Sequence, residues 1–340
     1  MNESEPTKAW INPTGAPGLA SILIPAYNAA ETIAATLDSV ARQTHRPIEV
    51  VIIDDGSTDQ TDTLIRGWIK AIGQKPDFTV RYFKQANQGL LACRNRSTRE
   101  SRGEFVQYLD ADDLLHPDKL KISIASMTQN PAVDVVISRT LKFWQEQELA
   151  GKLKPSPATQ PWTKRETNAP IIGHAFWYTP GPVFRRRAVT AAGPFPLDVH
   201  PVAEELEFHA RIKCTTKHLR YLPEIMAFHR TGLSHQLTRQ LPRLYQGKVD
   251  GVRWVAKIME QHNITDRREW RGLINDLSAT AYAIATCSYD PALFEESVRL
   301  LKDLARRHWG LMSWVFRLFS PNALSKLCKW VSLTRKGSTG

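Results

Sequence analysis

Between residues 19 and 143, short apolar runs alternate with segments whose apolar residues recur every three or four positions. The runs "LASILIPAYN", "IEVVIIDD", "TVRYFKQ", "EFVQYLD" and "VDVVISRTLKF" are rich in β-branched and aromatic residues and predict buried strands. Between them, "NAAETIAATLDSVARQ", "TDQTDTLIRGWIK", "GLLACRNRSTRES" and "HPDKLKISIASMTQN" carry the helical period. Asn28, with Glu31 three residues on, has capping-box spacing for the first helix, and Pro117 is placed to open the last. Such repetition predicts a mainly parallel sheet covered by helices on both faces, with ligands at the carboxyl ends of its strands.

The rhythm then breaks. "GKLKPSPATQPWTKRETNAP" is rich in proline, polar and charged residues and reads as a loop or insertion beside a cleft. "GPVFRRRAVTAAGPFP" suggests a short strand with a turn, "PVAEELEFHARIKC" a helix, and "LRYLPEIMAFHRT" a final pair of strands. From about residue 238 the pattern is helical throughout. The division expected is a loose lead-in over 1–18, an α/β domain over 19–237 with halves at 19–143 and 144–237, and a helical region over 238–340.

Charge changes the picture more than composition does. The formal net charge is +11 over 340 residues, which favours an anionic partner. Asp303 is the last acidic residue, so the excess gathers at the C-terminus, where basic residues mix with Trp309, Trp314, Phe316 and Phe319. That mixture suits either a helix packed on the rest of the protein or a segment lying on an anionic membrane surface. No run is long and apolar enough to span a bilayer, and the N-terminal stretch lacks the pattern of a signal peptide, so a cytoplasmic protein is expected, peripheral to the membrane if the tail binds it. The cysteines at 93, 214, 287 and 328 are dispersed without metal spacing. No nucleic-acid-binding module is recognisable, and nucleic acid is not an expected partner.

Three polar clusters sit where strands should end: Pro25-Ala26-Tyr27-Asn28, Asp54-Asp55-Gly56-Ser57 and Asp110-Ala111-Asp112-Asp113. In a parallel sheet all three open onto one edge. Any one of them is explained by capping or by a turn, but their convergence is not. Asp110 and Asp112, two positions apart, can point to one side, and the small Ala111 leaves room for a ligand to approach the backbone. Hard oxygen donors suit Mg²⁺ or Mn²⁺ when substrate phosphates complete the coordination. Asp113 reads as the start of the following helix. Neither a GxxxxGK[ST] loop nor a GxGxxG fingerprint is present, which argues against P-loop ATPases and NAD enzymes.

"SILIPAYNAAETIAATLDSVARQT", "IEVVIIDDGSTDQT", "NQGLLACRN" and "GEFVQYLDADDLLHPDKL", in this order, resemble the nucleotide-binding half of the family 2 glycosyltransferases, inverting enzymes of the GT-A fold. The resemblance covers about residues 19 to 240 and implies a nucleoside diphosphate sugar donor, Mn²⁺ or Mg²⁺, and a glycan or lipid-linked acceptor. It puts Pro25, Ala26, Tyr27 and Asn28 around the base, Asp55 on the uracil or its equivalent, Arg94 near the nucleotide, Asp110 with Ala111 at the ribose or sugar, and Asp112 on the metal. It also calls for a base that deprotonates the acceptor hydroxyl, and Glu204-Glu205 stand where the family carries an acidic pair. Glu205 aligns with the base, although Glu here replaces the usual Asp. Arg185 and Arg186 fall in the acceptor-side segment, with solvated surface arginines as the competing reading. His229, Arg230 and His235 are candidates for holding the diphosphate or acceptor, with a purely structural role as the rival.

A metal-dependent inverting transferase working in cell-surface polysaccharide synthesis is therefore expected. The alternatives are a non-catalytic nucleotide-sugar-binding protein of the same fold and a phosphohydrolase with an Asp-x-Asp nucleophile, against which stands Leu114 after "DADD". If the tail lies on membranes, anionic liposomes will float the intact chain and will not float one lacking residues 304–340. Equal flotation of the two would leave the tail as a packed helix.

Overall fold

The computed structural model describes residues 10–73, 75–149, 177–216, 218–233, 241–288 and 290–308. In chain order these form β1 (Ala16–Ala26), α1 (Ile33–Ala41), β2 (Ile48–Asp54), α2 (Thr61–Ile72), β3 (Phe78–Lys84), α3 (Leu90–Glu100), β4 (Gly103–Tyr108), the two-residue β5 (Leu114–Leu115), α4 (Lys119–Gln129) and β6 (Val135–Phe143). A 3₁₀ turn, Glu146–Leu149, follows, then β7 (Pro182–Arg185), α5 (Arg186–Ala192), α6 (Glu204–Thr215), β8 (Leu219–Arg230), α7 (Leu241–Gln261), α8 (Arg267–Ala283), a π-helical turn Ile284–Ser288 and α9 (Pro291–His308). The loop expected over 151–170 and the basic tail lie outside the described residues.

The chain divides into two compact units. One comprises residues 1–168, 177–198 and 211–233; the other comprises 169–176, 199–210 and 234–340. The first contains a single eight-stranded sheet in the order β3-β2-β1-β4-β7-β6-β8-β5. β3, β2, β1 and β4 run parallel, in the Rossmann-like half that the β-α repetition predicts. Beyond β4 the sheet is mixed, because β7 pairs antiparallel to both β4 and β6. β6 therefore runs in the same direction as β4, and β8 lies parallel to β6. The ends of β1, β2, β4, β6 and β8 thus open onto one edge.

Sequence explains the buried half directly. Every residue of β2 is buried, and Ile22, Leu23 and Ile24 of β1 are wholly inaccessible, as a strand covered on both faces requires. Ile33, Leu37 and Val40 of α1 and Ile65 of α2 pack on one side of this sheet, in one core with Leu120, Ile124 and Met127 of α4. At the opposite edge, the Ser21 hydroxyl donates to the buried Glu49 carboxylate at 2.5 Å, and the Gly103 N–H donates to both Ser21 Oγ (2.8 Å) and Glu49 Oε1 (3.0 Å). A Cβ on Gly103 would stand 2.5 Å from Ser21 Oγ, so only glycine fits there.

Several local expectations are corrected. α1 begins at Ile33, with Thr32 at its cap position and no side-chain cap. Asn28 instead takes a left-handed φ of 47° and ties the first strand-helix loop to the second, its Oδ1 accepting from the Thr58 N–H at 2.9 Å. α4 begins at Lys119, after Asp118 at the cap position, so neither Pro117 nor Asp113 opens it. The expected final strand pair is one twelve-residue strand, β8, with register shifts against β6 at Ser138/Arg139 and Arg139/Thr140.

In the second unit, α7, α8 and α9 carry apolar stripes, among them Val252, Val255 and Met259 of α7, Leu273 and Leu277 of α8, and Leu301 and Leu304 of α9, all buried. Gly247 and Gly251 let α7 lie close to residues 200–206: a Cβ on Gly247 would meet Val202 Cβ at 2.6 Å. Among the described residues no helix is long and apolar enough to cross a membrane.

One buried cation ties α4 to the middle of the sheet. Lys119 is completely inaccessible, and its ammonium donates to Ser138 Oγ at 2.7 Å and to the carbonyl of Gly181. Burial pushes it down to about 7 from the ordinary 10.5. Between those values the unfolded chain holds a proton that the native chain has lost, so stability rises with pH across the window. We expect the urea midpoint to climb from pH 7 to about pH 8.5, below the range where free thiols dominate, and the climb to vanish in Lys119→Met.

Candidate active site at the strand ends

The tight turn that follows β4 is the centre of the site. The Asp113 N–H donates to the Asp110 carbonyl at 3.1 Å, which closes the turn. The Ala111 carbonyl accepts from two hydroxyls at the start of α1, Thr32 Oγ1 of the cap position at 2.9 Å and Thr36 Oγ1 at 3.0 Å. The Asp112 carbonyl accepts from Arg230 Nε at 2.9 Å. The turn's carbonyls are thus held from behind by α1 and by the end of β8, while the side chains of Asp110, Ala111 and Asp112 are half-buried. Satisfied backbone is what allows so acidic a turn to hold one shape.

Each acid has a different environment. Asp110 accepts from Arg94 Nη2 of α3 at 2.9 Å, and the same guanidinium reaches Thr179 Oγ1 at 3.3 Å. Asp113 is fully buried and accepts from the Arg230 N–H at 2.9 Å and from His229 Nδ1 at 3.1 Å. Burial pushes its carboxyl up to about 7, with the His229 bond acting the other way. Asp113 is therefore a buried anchor between the turn and β8, not a helix cap. His229 also stacks on Tyr178, with ring centroids 4.7 Å apart, and Arg230 reaches on to Glu146 at 2.8 Å.

The other clusters meet at the same edge. Pro25 and Ala26 are buried at the end of β1, whereas Tyr27 is 52% exposed. Asp54 is wholly buried and structural: Oδ1 accepts from the Ser57 N–H, and Oδ2 from the Tyr82 hydroxyl. Asp55 holds the loop after β3, because Oδ1 accepts from Gln85 Nε2 (2.8 Å) and the Gln88 N–H (2.9 Å), and Oδ2 from the Gly89 N–H (2.8 Å). The Cys93 thiol is hydrogen-bonded to the same carboxylate, so Asp55 is held on all sides and fixes the start of α3.

Some expected residues are not brought to this edge. Arg185 pairs in register with Phe105, at the start of β4, and is buried at the opposite end of the sheet. Its guanidinium donates to the carbonyls of Val133 (3.0 Å) and Met127 (2.9 Å) and to Glu104 (2.6 Å), a fully structural set. Arg186 is likewise occupied with Asn12 and Ser101. Glu204, buried, and Glu205, half-buried, open α6 within the second unit. His235 lies outside the described residues. Conversely, Tyr178 and Thr179, which touch His229 and Arg94, went unnoticed in the sequence. The only signal was the "TPGP" turn that carries them, closed by the Gly181 N–H to the Tyr178 carbonyl at 2.7 Å.

Comparison with known proteins bears on this arrangement. The family model described as "Glycosyl transferase family 2" matches residues 21–190. An uncharacterized glycosyltransferase of Rickettsia felis is 38% identical over 110 residues, 32% of this chain and 17% of that protein. A chondroitin synthase of Escherichia coli is 31% identical over 163 residues, 47% of this chain and 22% of that protein. The chain thus matches about a fifth of the length of these relatives. Staphylococcus aureus TarS 1–349, solved with UDP, superposes with a TM-score of 0.62 at 16% identity, over 94% of this chain and 91% of that one. The mannosyltransferase PcManGT of Pyrobaculum calidifontis, solved with GDP-Man and Mn²⁺, gives 0.57 at 18% identity, over 98% and 91%. The fold is the GT-A fold of those enzymes. Because that family model matches residues 21–190, half of the chain, this chain belongs to glycosyl transferase family 2.

Proposed function

We propose that the protein is a metal-dependent inverting glycosyltransferase that moves a sugar from a nucleoside diphosphate sugar, UDP-linked, to a hydroxyl of a glycan or lipid-linked acceptor in polysaccharide synthesis. The observation that carries this reading is the Asp110–Asp113 turn, braced from behind through its carbonyls while Asp110 and Asp112 stand at the edge shared by β1, β2 and β4. The UDP and GDP-Man complexes of the structural neighbours support a nucleoside diphosphate donor. The domain division that goes with it is a donor half over 19–143, an acceptor half over 144–237 and a helical region over 238–340.

The donor set fits a divalent cation. Asp112 offers hard carboxylate oxygens, and among the described residues no group of three or more His, Cys, Asp or Glu could hold a metal unaided, so the remaining ligands fall to a diphosphate. When bound, Mn²⁺ or Mg²⁺ supplies Lewis-acid neutralisation of the leaving diphosphate. The chain's own residues do the rest. Tyr27 lies against the base, Pro25, Ala26 and Asn28 shape its pocket, and Asp55 accepts from a ring N–H. Arg94 orients Asp110 toward the ribose or sugar. His229 and Arg230 hold the turn through Asp113 and the Asp112 carbonyl, and so support the diphosphate end.

Glu205 is the general base in this scheme. The acceptor oxygen forms a bond to the sugar's anomeric carbon from the face opposite the phosphate. The carbon–oxygen bond to the diphosphate breaks with its electron pair, and the acceptor proton passes to the Glu205 carboxylate. Attack from the opposite face inverts the configuration.

A panel of nucleotide sugars tested for binding and turnover with Mn²⁺, Mg²⁺ or EDTA checks the scheme. We expect binding that EDTA weakens and that Asp112→Asn weakens as much. Glu205→Gln should keep UDP affinity within about threefold and lose transfer by about 10²- to 10⁴-fold. Full-rate transfer by Glu205→Gln would remove it as the base. UDP binding by the wild type without turnover of any donor would favour the non-catalytic reading.

A further inference from the structure

Trp144 follows the last residue of β6, and its side chain is neither buried nor loose. It is 61% exposed. Scattered exposed apolar residues are ordinary, but this one is held in place. Its ring lies on the backbone of Gly232, which has a φ of +95°, so that a Cβ there would stand 3.0 Å from the indole Cε2 and 3.2 Å from Nε1. The backbone N–H groups of Trp144 and Gln145 both donate to Glu148 Oε1, at 3.2 and 2.9 Å. The indole N–H has no hydrogen-bond partner among the described residues. One face of a fixed indole, with an unused donor on its rim, is thus turned to solvent.

The location narrows what this face is for. β6 runs in the direction of β4, so Trp144 stands on the edge that carries Asp110 and Asp112. Its neighbour Phe143 pairs in register with Arg230, whose Nε holds the Asp112 carbonyl and whose Nη2 holds Glu146. Within the sheet, the residues assigned to the base lie on β1 and β2, whereas Trp144 lies beyond β4 and β7. A donor whose base sits over β1 and β2 and whose diphosphate meets Asp112 leaves Trp144 on the far side of the reacting carbon.

We propose that Trp144 is a stacking platform for a pyranose ring of a glycan acceptor. This rests on the glycosyl-transfer reading above. The axial C–H groups of a pyranose form an apolar, weakly positive face that suits the negative face of an indole, while the indole N–H and the half-exposed Glu146 carboxylate match its ring of hydroxyls.

The test uses the full chain with cellopentaose, maltopentaose, chitopentaose and xylopentaose as probes. At least one should change the tryptophan emission of the wild type and have no such effect on Trp144→Phe. For that sugar, used as acceptor with the donor that turns over, Trp144→Ala should raise the acceptor KM by about tenfold, the scale of one lost aromatic stacking contact, and lower kcat at saturation by less than about threefold. Trp144→Tyr should recover most of the KM. Identical titrations of wild type and Trp144→Phe, an unchanged acceptor KM, or no binding of any probe would each overturn the proposal. So would loss of liposome flotation on Trp144→Ala without any change in sugar binding, which would assign the ring to a membrane. A wild type that neither binds UDP nor releases it from any nucleotide sugar would defeat the transferase reading instead.

Discussion

The backbone of the Asp110–Asp113 turn is held by groups from the start of α1 and the end of β8 and by the turn's own closing N–H. Two hydroxyls at the start of α1 take the Ala111 carbonyl, Arg230 of β8 takes the Asp112 carbonyl, and the N–H that closes the turn takes that of Asp110. This matters because a segment with three carboxylates repels itself and, if loose, would spread. Pinning the carbonyls leaves the chain no freedom to relax the side chains apart. α1 can reach the turn only because β1 and β4 are neighbours, and β8 only because it follows β6 in the same direction. The order of the strands is thus expressed as the shape of one four-residue turn.

Around this turn the charges are graded by burial. Asp113 is fully inaccessible and bonded to His229 and Arg230, Asp110 is part-exposed and paired with Arg94, and Asp112 is half-buried. The inner acid is structural, and the outer two stand at the edge shared by β1, β2 and β4. Lys119, equally inaccessible, has no carboxylate among its hydrogen-bond partners in the described residues and holds the Gly181 carbonyl, and with it the turn that carries Tyr178 and Thr179 to His229 and Arg94. A cation that binds only neutral acceptors adds rigidity at a cost in desolvation. That exchange is reasonable beside a site where small displacements matter.

The parallel half of the sheet was readable because its strands are buried on both faces, and a β-branched run between helical periods has few other meanings. What escaped the reading had opposite signals. β7 reads as a short strand, but its reversed direction depends on partners far away in the chain. Asp113 reads as a cap, and nothing in the sequence singles out Lys119, because burial of either requires partners that sequence does not reveal. Arg185 reads as a contact for anions, yet a guanidinium can satisfy two carbonyls and a carboxylate inside the fold just as well. The three clusters at the strand ends were legible through their convergence, since a parallel sheet brings such ends together whatever the intervening loops do.

The reversed direction of β7 has one more effect. A strand that runs against its neighbours begins where they finish, so the residues that precede it arrive at the ligand edge, as Tyr178 and Thr179 do. The direction of one short strand thus decides which side chains join Asp110 and Arg94 at that edge.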